Sequence, residues 1–242
     1  MKWSTMILWW MGAIVFSGML ASNIILKKQY DQVDKNDIYW TYGIVNDQPF
    51  KYLEIEGGNM TKILFEQSPH CSLRVLHDWQ RAAKDRKLFE SFVSNDTLYV
   101  KMIYTPQDGG ERNWFKYVTI VRIFAPELLS VTGHDTRFEM DKMKQKNFHV
   151  TMSGKSSFEI ESFDPDFDSV GVNLRDSSEA VFEMSPEYIP ARESMNIKSL
   201  SANLQNNSIL DVGHAQVGDF KLHIEDSAAI VLSGEGLKMI SK

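Results

Sequence analysis

The chain has 242 residues, 43% hydrophobic and 24% charged, with a net charge of −6, a folded globular composition rather than a disordered one. Residues 1–28 contain Lys2, Lys27 and Lys28 and no acid, so the rest carries −9 (−6 minus +3), which argues against nucleic acid as a partner because phosphate backbones are repelled. The single cysteine, Cys71, rules out a disulfide within the chain and a four-cysteine zinc site.

From Trp3 to Leu26 the chain reads WSTMILWWMGAIVFSGMLASNIIL, without a charged residue. About 20 apolar residues cross the hydrocarbon core of a bilayer. The run predicts a transmembrane helix within an anchor of residues 1–28, with the membrane as its partner. A cleaved signal peptide is the competing reading, since Ser17, Gly18, Ala21 and Ser22 offer small residues for cleavage. The run is too long for a usual signal core, so the uncleaved anchor is favoured. Lys2 on one side nearly balances Lys27 and Lys28 on the other, so charge alone does not orient it. Residues 29–49, with Asp31, Asp34 and Asp37, read as a polar linker.

A β-rich region is expected over 50–242. Alternating runs predict strands at Tyr52–Glu56, Lys62–Gln67, Ser72–Leu76, Thr97–Ile103 and Tyr117–Phe124. Turn signals stand between them at Gly57-Gly58-Asn59, Ser94-Asn95-Asp96 and Pro106–Gly110. The stretch Gln80–Phe92 reads as a short helix or an irregular excursion.

In the second half four segments align on Met152, Leu174, Leu204 and Ile224. Two residues after each anchor stand Gly154, Asp176, Asn206 and Asp226, and four after stand Ser156, Ser178, Ser208 and Ala228. A degenerate copy surrounds Val131, and Ser185–Ser194 (SPEYIPARES) reads as a protruding loop. Two short strands per unit at a period near 20 residues predict an all-β solenoid, a β-helix whose corners hold the Gly/Asp/Asn and Ser positions.

The segments SVTGHDTRFEM, HVTMSGKSSFEIESF, GVNLRDSSEAVFEM and FKLHIEDSAAIVLSG, with FKYLEIEGGNMTKILFEQ and SNDTLYVKM earlier, resemble the head GIN domain family. Its members are bacterial envelope proteins, common in Bacteroidetes and often described as autotransporter adhesins. The resemblance spans about Phe50 to Ile240. It implies a right-handed single-stranded β-helix outside the cytoplasmic membrane, and it brings no catalytic residue with it.

Candidate chemical groups are few. His70 adjoins Cys71, but neighbours along a strand point to opposite faces, so a thiol–imidazole pair is not expected. Asp164, Asp166 and Asp168 resemble the start of a calcium loop, yet Ser169 stands where Gly is needed and Arg175 where Glu is needed. His70, His77, His134, His149, His214 and His223 form no metal motif; His149 and His223 are expected outward on equivalent positions. Asp176 and Asp226 are possible carboxylates, with Arg175 as the nearby cation. Asn206 between them reads against a paired-carboxylate site.

These readings assign no catalytic residue, metal ligand or cofactor. They lead to a non-enzymatic binding or scaffolding module in the cell envelope, anchored in the inner membrane with its domain in the periplasm. Its partner would be an envelope protein or glycan. The alternative is a glycan-active lyase or hydrolase.

Overall fold

The computed structural model describes residues 3–31, 36–103, 118–141, 143, 145–161, 166–183, 195–213, 215–225 and 227–232. The chain divides into a unit ending at Thr41 and a unit beginning at Tyr42.

The first unit is built on helix α1, Trp3–Asp31. Met6–Lys28 within it is long and apolar enough to cross a membrane. Leu8, Trp9, Phe16 and Ile24 are all exposed. A soluble helix has one apolar stripe, whereas this one has no polar face. Past the helix, Tyr39 N and Trp40 N donate to Asp37 in a short turn.

The second unit begins with β1 (Tyr42–Asn46), β2 (Tyr52–Glu56), β3 (Lys62–Gln67) and β4 (Ser72–Leu76). After them come α2 (His77–Arg86), β5 (Phe89–Ser94), β6 (Thr97–Met102) and β7 (Thr119–Ala125). Strands β8 (Ser130–His134), β9 (Arg137–Asp141), β10 (Asn147–Ser153), β11 (Ser157–Glu161) and β12 (Asp166–Leu174) follow. The last are β13 (Glu179–Glu183), β14 (Asn196–Leu204), β15 (Ile209–Asp211), β16 (Gln216–Ile224) and β17 (Ala229–Val231). Strand β1 falls inside the stretch read as a linker. Helix α2 starts earlier than the expected Gln80. It stops at Lys87, whose left-handed backbone (φ 53) lets its N–H cap Ala83 and Lys84 carbonyls.

The architecture corrects the expected right-handed single-stranded β-helix. The strands form two large mixed sheets, in the orders β1-β4-β7-β3-β9-β11-β13-β15-β17 and β16-β14-β12-β10-β8-β2-β6-β5. We call them the nine-strand and eight-strand sheets. Strand β2 is wedged between β6 and β8, and β3 between β7 and β9, so the chain does not stack in sequence order. The pairs β1–β4, β4–β7 and β5–β6 are antiparallel. One physical cause is local. Asn95 and Asp96 both take left-handed angles (φ 49 and 58), the geometry of a tight two-residue hairpin. That hairpin returns the chain antiparallel where a solenoid would carry it onward.

From Ser130 on, the chain alternates between the two sheets. There the aligned positions are register partners: Met152 with Leu174, Leu174 with Leu204, and Leu204 with Ile224. They belong to the two mixed sheets rather than to a self-contained repeating unit. The SPEYIPARES segment, Asp164, His214, Asp226 and the Pro106–Gly110 turn lie outside the described residues.

In-register pairing places like side chains over one another, so apolar residues line up in rows. In the nine-strand sheet one row runs Ile63, Phe138, Phe158, Ala180, Leu210, Ile230. In the eight-strand sheet another runs Leu53, Val131, Val150, Val172, Ala202, Leu222. Phe148 of the eight-strand sheet stacks on Phe158 of the nine-strand sheet, with centroids 5.7 Å apart. The inner faces of the two sheets therefore share one core. Gly133 sits beside Met152 in its row, and a Cβ there would come within 2.5 Å of Met152 Sδ and of Thr136 Cγ2. The absent side chain is what lets Met152 pack.

At the turns from the eight-strand to the nine-strand sheet, Asp135, Gly154, Asp176, Ser177, Asn206 and Asn207 take positive φ. Just after them Ser156, Ser178 and Ser208 are buried. Ser178 Oγ donates to Met152 O (3.1 Å) and accepts from Arg175 N (3.1 Å). Ser208 Oγ donates to Leu174 O (3.2 Å) and accepts from Gln205 N (3.0 Å). Each hydroxyl thus ties its own turn to the preceding strand, satisfying backbone groups that burial would otherwise leave costly.

Phe158 touches Phe138, Phe148 and Phe182 and is fully buried. Phe158→Ala should destabilise the β unit by about 3–5 kcal/mol, read as a lower urea midpoint; a loss below about 1 kcal/mol would contradict this core.

Candidate functional site

The outward faces of the sheets carry the chemistry. On the eight-strand sheet a single row crosses every strand: Phe92, Tyr99, Glu54, Thr132, Thr151, Asn173, Asn203, His223. No aliphatic side chain interrupts it. Phe92 and Tyr99 stack at 4.8 Å with rings 14° apart, and Phe92 is 57% exposed. Near the other end Thr151, Asn173, Leu174, Arg175, Asn203 and Gln205 line an open hollow of about 250 Å³.

His149 reinforces this hollow. It faces Gly171 on the adjacent strand, and a Cβ at 171 would collide with the imidazole. The ring therefore lies across the glycine, and its Nε2 is 3.0 Å from Asn173 Nδ2. The amide donates there, so Nε2 is the acceptor nitrogen. Asn203 Oδ1 is shielded from solvent and has no hydrogen-bond partner among the described residues. His149 and His223 are not on equivalent positions, as the sequence suggested. His149 shares a row with Gly171, Ser201 and Lys221, and His223 with Asn203.

The nine-strand sheet carries charged pairs whose carboxylates are buried. Arg122 pairs with Glu66, and Lys62 Nζ lies 2.6 Å from Glu139 Oε2. A groove of about 500 Å³ is lined by Asn59, Arg137, Lys155, Glu159 and Glu179 among others. Arg137 and Glu159 approach to 4.0 Å across it.

The other candidates are placed individually. Cys71 is half-buried with Sγ 3.8 Å from Phe50 O, beside a hollow of about 260 Å³ that includes Pro49, Lys51 and Asp96. Asp166 Oδ1 accepts from Asn196 Nδ2 (3.0 Å), and Asp168 Oδ1 meets Lys198 Nζ at 2.6 Å. Both carboxylates thus engage β14 rather than converge. Among the described residues no group of three His, Cys, Asp or Glu side chains is arranged to hold a metal ion. Asp176 Oδ1 accepts from Asn206 Nδ2 (3.2 Å), and its carboxylate lies 3.6 Å from Arg175. It belongs to the turn.

No family model matches the chain, and no curated protein matches it. It is similar in structure to a proposed lipid binding protein from Parabacteroides distasonis, at 12% identity and a TM-score of 0.38. That alignment covers 79% of this chain and 96% of the other. A proposed adhesin from the same species is similar at 10% identity and a TM-score of 0.35, over 79% and 96%. A proposed adhesin from Bacteroides fragilis is similar at 12% identity and a TM-score of 0.31, over 78% and 94%. Likenesses at these scores carry no argument about function, and the family resemblance rests on the sequence motifs alone.

The hydrogen bond to Lys198 holds the Asp168 carboxyl below its ordinary range, and the same bond raises Lys198. Lys198→Ala should therefore move the Asp168 titration upward in carboxyl-carbon NMR. Both groups are exposed, so the unfolding midpoint should hardly move. An unshifted titration would show that the pair does not form in solution.

Proposed function

We propose that this protein is a membrane-tethered binding module of the cell envelope. In this reading α1 remains in the inner membrane and the β unit stands in the periplasm, where a sheet exterior meets an envelope protein or glycan. The observation that carries the binding part is the unbroken polar and aromatic row across all eight strands of one sheet. The tether rests on Met6–Lys28, which has the length and composition of a span.

The groove on the nine-strand sheet supports a second reading, a glycan-active enzyme. Arg137, Lys155, Glu159 and Glu179 bring acids and bases to one depression, the composition such chemistry requires. Binding is preferred because Arg137 and Glu159 face each other there as an ion pair at 4.0 Å.

Three measurements test the proposal. The full chain in cells should resist carbonate extraction from membranes, and protease added to spheroplasts should digest the β unit. Complete protection would place the unit in the cytoplasm and overturn the envelope reading. Cleavage of an envelope polysaccharide by the purified chain, abolished by Glu159→Gln, would replace binding with catalysis.

A further inference from the structure

The binding reading leaves the class of partner open, and the outer row of the eight-strand sheet narrows it. We infer that this row is a track for a neutral, extended, β-1,4-linked glycan laid across the strands. The inference rests on the binding reading above and adds the ligand class and the residues that hold it.

The first argument is chemical. From Thr132 to Asn203 the row presents two hydroxyls and then two amides. Hydroxyl and amide groups each offer both a donor and an acceptor. A sugar hydroxyl is likewise donor and acceptor at once, so one amide can serve two neighbouring hydroxyls. A polyanion would call for a row of cations, and a protein interface for an apolar centre with aromatic anchors. Glu54 is the only permanently charged residue in the row, and no aliphatic side chain is present.

The second argument is geometric. Eight strands at about 4.8 Å spacing make a track of roughly 34 Å measured along the row. Its step is comparable to the length of one sugar unit in a flat, extended chain. A coiled glycan would leave the line after a few units. The exposed Phe92–Tyr99 stack at one end offers ring faces to the apolar side of a sugar.

The third argument concerns the hollow. Asn173 and Asn203 both line it, with Thr151 beside them, so a hydroxyl seated there meets side chains that both donate and accept. His149, lying over Gly171 and accepting from Asn173, fixes one amide N–H so that its carbonyl oxygen is directed elsewhere. Arg175 and Gln205 add donors at the rim.

The test uses the full chain in lipid nanodiscs, titrated with cellohexaose, mannohexaose and chitohexaose, with maltohexaose as the coiled counterpart. At least one of the β-1,4 hexamers should shift the side-chain amide signals of Asn173 and Asn203. Asn173→Ala and Asn203→Ala should each weaken that binding about fivefold to tenfold. Asp211→Asn on the other sheet should leave it unchanged. No response to the β-1,4 hexamers, equal response to maltohexaose, or shifts confined to the groove at Glu159 and Glu179 would each overturn the glycan track. The same nanodiscs, mixed with protein-rich and glycan-rich fractions of isolated envelopes, separate the two failures. Capture of a protein fraction through Asn173 and Asn203 leaves the binding module standing and replaces the glycan with a protein. Capture of neither fraction overturns both.

Discussion

In-register strand pairing is the constraint from which the rest of the β unit follows. A backbone hydrogen-bond ladder fixes each residue opposite one partner, and a slip by one residue would exchange the two faces. Here the register sets Val150 on Val172, Val172 on Ala202 and Ala202 on Leu222. The same register must then set Thr151 on Asn173, Asn173 on Asn203 and Asn203 on His223. The apolar row is buried as far as Ala202, whereas Leu222 at its end is exposed. The polar rows are carried outward as a consequence, already evenly spaced.

The turns keep that register from drifting. Left-handed residues such as Asp176 and Asn206 reverse direction in little space, which Asn and Asp tolerate better than other side chains. The buried hydroxyls of Ser178 and Ser208 then bind carbonyls of the preceding strand. The outward-facing side chains are thereby spaced by the strands themselves along the face of the sheet.

Much of the local structure was legible in the sequence, and the global arrangement was not. Strands β2, β3 and β4 have the bounds their alternation indicated. Strand β1 was hidden because Tyr42–Asn46 is half exposed and, among the described residues, pairs with β4 alone at the end of its sheet. Strand β5 was hidden because Phe92 faces solvent, against the usual direction of a phenylalanine. The β-helix expectation failed because sequence alignment shows which segments are alike but not where earlier strands insert. Asn95 and Asp96 were read as a turn, yet nothing in the residues alone said that β2 would enter between β6 and β8. The outer row was invisible for a related reason. Its members run from Glu54 to His223, and only the register brings them into line. Asp176 shows the opposite case. Its alignment with Gly154 and Asn206 marked it as a turn residue, and its bond to Asn206 agrees.

The central claim is that the exterior of the eight-strand sheet is the working surface. The most direct measurement is site-specific photo-crosslinking in living cells, with benzophenone replacing Thr132 in the row and, separately, Asp211 on the other sheet. The account predicts a discrete envelope adduct from position 132 and none from position 211. An adduct from position 211 alone would contradict it and move the working surface to the nine-strand sheet.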